Sequence, residues 1–325
     1  VARAGGRSES DRKKASFRKA RESGAPKIGL YFRPRAGGSH TGALRFGLIS
    51  MVAASVHPST HQGKNSMKVV LFCGGQGTRL RDYSDQIPKP LVEVGSRPIL
   101  WHLMKYYAHF GHKDFILCLG HGAGAIKNFF LKYDECVSND FVLTGGGGQV
   151  DLLDKDIADW RITFVDTGLH SNIGDRLRRV RKHLSGEDMF LANYADGVSD
   201  LNLEQYVESF RKRDKIACFV SVPAPHTFHI VHADPDFYAT KLEHVAQSTV
   251  RINGGFFALR SEIFDYMGPG EELVLEPFQR LMEKRQLLAV PYDGFWRNMD
   301  TFKDKMQLDE LVTQGKVPWQ VWTKR

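Results

Sequence analysis

The chain has 325 residues, 42% of them hydrophobic and 25% charged, a balance that suits a packed globular core and excludes a wholly disordered chain. Its formal charge of +8 belongs to the first 66 residues, where 13 Lys/Arg face 3 Asp/Glu; the remainder carries 32 against 34, which excludes a nucleic-acid surface on the body. No run reaches the 18 or so apolar residues of a membrane span, and four scattered cysteines without a Cys-x-x-Cys pair argue against a zinc site or disulfide framework and fit a reducing cytoplasm.

Residues 1–66 are rich in Arg, Lys, Ser, Gly and His with no sustained period, and are expected to form a disordered basic leader. Residues 67–325 are expected to form the folded domain. Its first element, 69–73, reads as a buried strand. The strand runs into Gly74-Gly75-Gln76-Gly77-Thr78-Arg79-Leu80 and then Pro88-Lys89-Pro90. Glycines at 74, 75 and 77 let the backbone approach a ligand closely, and successive free amides make an anion-binding concavity. Thr78 adds a hydroxyl; Arg79 and the proline-locked Lys89 add two positive charges. The array suits a nucleoside triphosphate, against the plainer alternative of a tight turn with surface cations. A P-loop fails because no lysine follows the glycines, and a dinucleotide fingerprint fails because Leu80 stands at its last position.

Downstream, Ile99, Leu103, Tyr106, Tyr107 and Phe110 keep a helical period, with Pro98 suited to a first turn and Gly111 as a stop. A strand at 115–119 and a helix carrying Ile126, Phe129, Phe130 and Tyr133 follow. Further strands are predicted at 162–165, 189–193, 217–222 and 255–259, and helices at 177–184, 203–213, 273–285 and 302–313. The alternation predicts a mainly parallel, Rossmann-like α/β sheet with helices on both faces, binding its ligand at the carboxyl ends of the strands. Glycines 145–148 mark a mobile loop, and His226, His229, His232 and His244 read as loop residues without a metal pattern.

The glycine turn with Pro88-Lys89-Pro90 resembles the signature of the sugar-1-phosphate nucleotidyltransferases. Val92-Glu93-Val94-Gly95, Pro98-Ile99-Leu100-Trp101-His102, Phe164-Val165-Asp166-Thr167-Gly168, Ile252-Asn253-Gly254-Gly255-Phe256-Phe257, Phe295-Trp296 and Met299-Asp300-Thr301 resemble its glucose-1-phosphate cytidylyltransferase branch. The resemblance runs from about Met67 to the end. Met67 stands where similar proteins begin, so residues 1–66 read either as an upstream extension of the reading frame, outside the native protein, or as an Arg-rich targeting peptide.

The resemblance implies a glycosyltransferase-A-like fold, Mg2+ as cofactor, and CTP (or another NTP) and a sugar 1-phosphate as substrates. The product, CDP-glucose, would feed polysaccharide or deoxysugar synthesis, and self-association into a homo-oligomer is implied as well. By itself, either Asp196, after an apolar strand, or Asp300 fits a turn or cap; the resemblance implies that both hold the magnesium. It gives Arg79 the β- and γ-phosphates, Lys89 the α-phosphate or the incoming phosphate, and Gly74, Gly75, Gly77 and Thr78 the nucleotide. Arg176 is divided between nucleotide contact and a solvated place in a basic segment with Arg178, Arg179 and Arg181. The acceptor half departs from the family: His244 stands where similar enzymes carry a sugar-phosphate lysine, with Arg251 and Arg176 as substitutes, and Ala195 and His121-Gly122-Ala123-Gly124 also differ. A neutral imidazole there removes a charge, so an altered sugar or a weakened enzyme follows.

Overall fold

The computed structural model describes residues 66–75, 87–225 and 228–323. The predicted leader, apart from Ser66, and Gly77, Thr78, Arg79 and His226 lie outside the described residues. In chain order the elements are β1 (Lys68–Phe72), β2 (Glu93–Val94), β3 (Arg97–Pro98), α1 (Ile99–His109), β4 (Asp114–Leu119), α2 (Ala123–Leu131), β5 (Phe141–Thr144), β6 (Gln149–Leu152) and β7 (Arg161–Asp166). There follow α3 (Ile173–Val180), β8 (Met189–Tyr194), β9 (Gly197–Ser199), α4 (Leu203–Arg213), β10 (Ala217–Pro223), β11 (His229–Ala233), β12 (Ala239–His244) and β13 (Arg251–Asn253). The last are β14 (Phe257–Arg260), α5 (Glu276–Glu283), β15 (Leu287–Pro291), β16 (Trp296–Asn298) and α6 (Phe302–Thr313). No described helix is long and apolar enough to cross a membrane.

The central sheet has the order β13-β10-β14-β8-β1-β4-β7, with β15 beside β10. Strands β8, β1, β4 and β7 run parallel, as the alternation of strands and helices requires; β14 enters antiparallel between β8 and β10. Alternation along β1 sends Val69 and Leu71 to one face, against α1 and α4, and Val70 and Phe72 to the other, against α3 and α5. Both faces are therefore covered, which is why β1 and β4 read as continuous apolar runs rather than alternating ones.

Several predicted boundaries shift for local reasons. Helix α3 starts at Ile173 because Asn172 caps it, its side chain accepting from Asp175 N at 2.8 Å; Arg176 therefore lies inside the helix, and Arg181–Leu184 form a following 3-10 turn. Helix α5 is shorter than 273–285, and Pro277 sits in its first turn. Strand β14 starts at Phe257 because Gly255 and Phe256 both have left-handed backbone, at φ +73° and +51°. Glycines 145–147 form the turn joining β5 to β6. His229, His232 and His244, expected in loops, belong to the β11–β12 hairpin.

His102 on α1 illustrates a cost of this packing. Its Nε2 lies 2.9 Å from Val94 O and its Nδ1 3.4 Å from Trp319 Nε1, in a fully enclosed place. Burial pushes its pKa down to about 4, against hydrogen bonds that raise it. The folded value lies below the unfolded one of about 6.5, so the unfolded chain binds more protons between them. Stability is expected to be complete above about pH 6.5 and to fall as pH drops toward 4. Urea midpoints measured from pH 7 to 4.5 should show that slope, and His102→Gln should flatten part of it; an unchanged slope would show that His102 does not contribute.

Candidate active site

The parallel register places Phe72 beside Cys118 on β4 and Tyr194 on β8, so three strands finish side by side. Cys73 N continues the ladder by donating to Cys118 O at 3.0 Å, and the turn begins at Gly74. Asp196 follows β8 on the next strand over. Strand β9 then pairs antiparallel with β16, Asn298 opposite Gly197, and Met299 N donates to Asp196 O at 2.9 Å. That pairing brings Asp300 beside Asp196. The buried side chains of Val92, Val94, Val198, Met299, Leu308 and Trp319 pack beneath as a separate core. Asp300 N donates to Asp304 Oδ2 at 3.1 Å, while Thr301 and Asp304 form the capping box that starts α6.

Lys89 meets both aspartates. Its Nζ donates to Asp196 Oδ2 at 2.6 Å and to Asp300 Oδ1 at 2.5 Å. Burial works to lower the Lys89 pKa, but the two carboxylates outweigh it and hold the ammonium above its ordinary range. Asn298 Nδ2 donates to Asp300 Oδ2 at 2.5 Å, a contact sequence reasoning missed; the i, i+2 spacing from the end of β16 is its only trace in the sequence. Two carboxylates converging on one cation supply hard oxygen donors of the kind Mg2+ takes. Among the described residues no group of three or more His, Cys, Asp or Glu could hold a metal. A divalent ion held here would complete its shell with phosphate oxygens and water, which fits magnesium chemistry.

Beside the carboxylates lies a cavity of about 260 Å³, lined among others by Tyr194, Asn253, Gly254, Trp296 and Asn298. Gly255 follows the lining residue Gly254. Gly255 is held with φ +73°, and a Cβ there would stand 2.4 Å from Asn193 Oδ1, so only glycine fits. Among the described residues that line it, none has a basic side chain. His244 does not line this cavity either: it sits at the end of β12, accepts from Ala246 N at 3.2 Å and meets His229 edge-on. Arg251, the other acceptor candidate, is committed to Ser221 O, Tyr292 O and Asp293, where it braces the β10–β13 edge.

Arg176 is neither of the things expected of it in simple form. It is not solvated: it is 3% exposed and packed against Gly74. Its guanidinium donates to Gly74 O at 2.9 Å, Leu119 O at 3.1 Å and Thr167 Oγ1 at 2.8 Å, tying together the ends of β1, β4 and β7. A Cβ on Gly74 would stand 2.0 Å from Arg176 Nη1. Gly74 is thus required by the side chain packed against it.

The nucleotidyl transferase family profile matches residues 68–314. The chain is 35% identical over 257 residues to glucose-1-phosphate cytidylyltransferase of Salmonella typhi, covering 79% of this chain and all of the relative. It is 26% identical over 250 residues to mannose-1-phosphate guanyltransferase of Saccharomyces cerevisiae, covering 73% and 62%. Among solved structures, HddC from Yersinia pseudotuberculosis complexed with GMP-PN superposes with a TM-score of 0.54 at 21% identity, covering 76% and 99%. That last likeness shows the fold alone.

Proposed function

This chain belongs to the nucleotidyl transferase family, and we propose that it joins CTP to glucose 1-phosphate, forming CDP-glucose and pyrophosphate with Mg2+ as cofactor. The observation that carries the chemistry is the meeting of Lys89, Asp196 and Asp300 at one point. The choice of base and sugar rests on the cytidylyltransferase relative.

In the proposed reaction an oxygen of the sugar phosphate attacks the α-phosphorus, and the bond to the β-phosphate breaks. The sugar phosphate is already ionised, so no general base is required; alignment and charge neutralisation are the enzyme's tasks. Asp196 and Asp300 would hold Mg2+, which supplies charge neutralisation on the phosphate oxygens. Lys89 adds a second cation at the α-phosphate or the incoming phosphate, its backbone stiffened by Pro88 and Pro90. Arg176 holds Gly74 in place, a positioning role in place of the nucleotide contact first expected. Gly75, Gly77, Thr78 and Arg79 complete the triphosphate cradle in this reading. The cavity beside the carboxylates receives the sugar, with Asn253 and Asn298 as polar lining.

One observation favours a second reading. Among the described residues that line the cavity none is a cation that could join Lys89 on the acceptor phosphate, and His244 is not one of them. A nucleotide-sugar-binding protein with weak or lost turnover would show the same arrangement. Pyrophosphate release across the four NTPs and a panel of sugar 1-phosphates separates the two. Release with CTP and glucose 1-phosphate supports the first reading, release with another pair corrects base or sugar, and nucleotide-sugar binding without release supports the second.

A further inference from the structure

We infer that Lys89 is an internal counter-ion that competes with a divalent cation for the carboxylate pair, so that the site accepts the cation as its triphosphate complex in preference to the free ion. This rests on reading Asp196 and Asp300 as cation ligands. The Nζ stands 2.6 Å from one carboxylate and 2.5 Å from the other, at the point on which Asp196 Oδ2 and Asp300 Oδ1 converge. Asn298 donates to the second oxygen of Asp300, fixing which oxygen is turned toward the lysine. An ammonium and a divalent ion cannot share that point, because both are cations and each needs the same two oxygens.

The cost of displacing Lys89 depends on what receives it. Its side chain is only 13% exposed, and Pro88, Pro90 and the 3-10 turn Lys89–Leu91 restrain its backbone. The ammonium can therefore relocate only by swinging its four-carbon stem. A free divalent ion would expel it from two short charge-assisted hydrogen bonds without bringing an anion to receive it. A cation arriving on a triphosphate brings phosphate oxygens that take the displaced ammonium as the carboxylates release it. The exchange is then balanced in charge, and it delivers Lys89 to the phosphate on which it is proposed to act. Free metal is discriminated against, although two carboxylates by themselves would attract it.

The test uses the full chain and Mn2+ alone, with bound ion measured by loss of the free-ion electron paramagnetic resonance signal and by calorimetry. Lys89→Met should bind free Mn2+ at least about tenfold more tightly than the wild type, since two charged hydrogen bonds no longer compete. Lys89→Gln, which keeps a donor without a charge, guards against a folding defect in the first variant and should also bind more tightly. With Mn2+ supplied as its CTP complex, the order should reverse, both variants binding more weakly than the wild type. Free Mn2+ affinity unchanged or weakened in both variants would overturn the competition. The doubly substituted Lys89→Met, Asp196→Asn chain should lose the gain; if it keeps it, the reading of the carboxylates as the cation site fails instead.

Discussion

Asp196→Asn and Asp300→Asn are each expected to lower turnover by roughly two to three orders of magnitude, the usual loss when a preorganised charge at the reacting centre is removed, while the protein stays folded. The two carboxylates meet only because β9 pairs with β16, and each faces Lys89 at hydrogen-bond distance. Their side chains are partly exposed, at 25% and 33%, so losing one charge has a small effect on stability. In either variant Lys89 retains one carboxylate, and the fold beneath rests on Met299, Val198 and Leu308, which the substitutions do not touch. Turnover at saturating substrate, with circular dichroism and urea midpoints beside it, separates a catalytic loss from an unfolded protein. Near-normal turnover in both variants would show that the pair is not the reacting centre.

The second large effect is expected at Gly74. Arg176→Ala takes the guanidinium donor from Gly74 O, while Leu119 O keeps Thr167 N and Thr167 Oγ1, and should destabilise the fold by about 1–3 kcal/mol. Gly74→Ala should cost a comparable amount for a different reason, because its Cβ would collide with the guanidinium at 2.0 Å. The two effects share one contact. In the Arg176→Ala background, which opens space where the guanidinium stood, Gly74→Ala should cost much less than in the wild type. A double-mutant cycle read by urea unfolding gives the coupling directly. Additive losses would mean that Gly74 and Arg176 do not act through their shared contact.

What the sequence disclosed and what it withheld follow from how locally each feature is determined. Helix α6 was legible because Thr301 and Asp304 cap it, and α4 because Leu203, Tyr206, Val207 and Phe210 keep one face and Asn202 caps it. Strands β1 and β4 were legible because they are buried on both faces. The β5–β6 and β11–β12 hairpins were not, because Leu143, Val150, Val231 and Leu242 stand exposed and leave no alternation for a one-sided core. The glycine turn reads as a triphosphate cradle because its glycines and cations lie in one segment, although Gly77, Thr78 and Arg79 fall outside the described residues. The meeting of Asp196 with Asp300 has no such local mark: it depends on two three-residue strands far apart in the chain, and only the family resemblance pointed to it. Arg176 shows the same limit. Among four arginines within six residues, nothing local marks the one that turns inward; the carbonyls that claim it come from β1 and β4.

Transfer of a nucleotidyl group to a sugar phosphate by these residues is tested by the product balance from CTP and glucose 1-phosphate with Mg2+. Phosphorus NMR of the reaction should show CDP-glucose and pyrophosphate appearing together in equal amounts, neither forming without the sugar phosphate, and both ceasing when the magnesium is chelated. Pyrophosphate released without the sugar phosphate, or no transfer with any nucleotide and sugar pair, would contradict it.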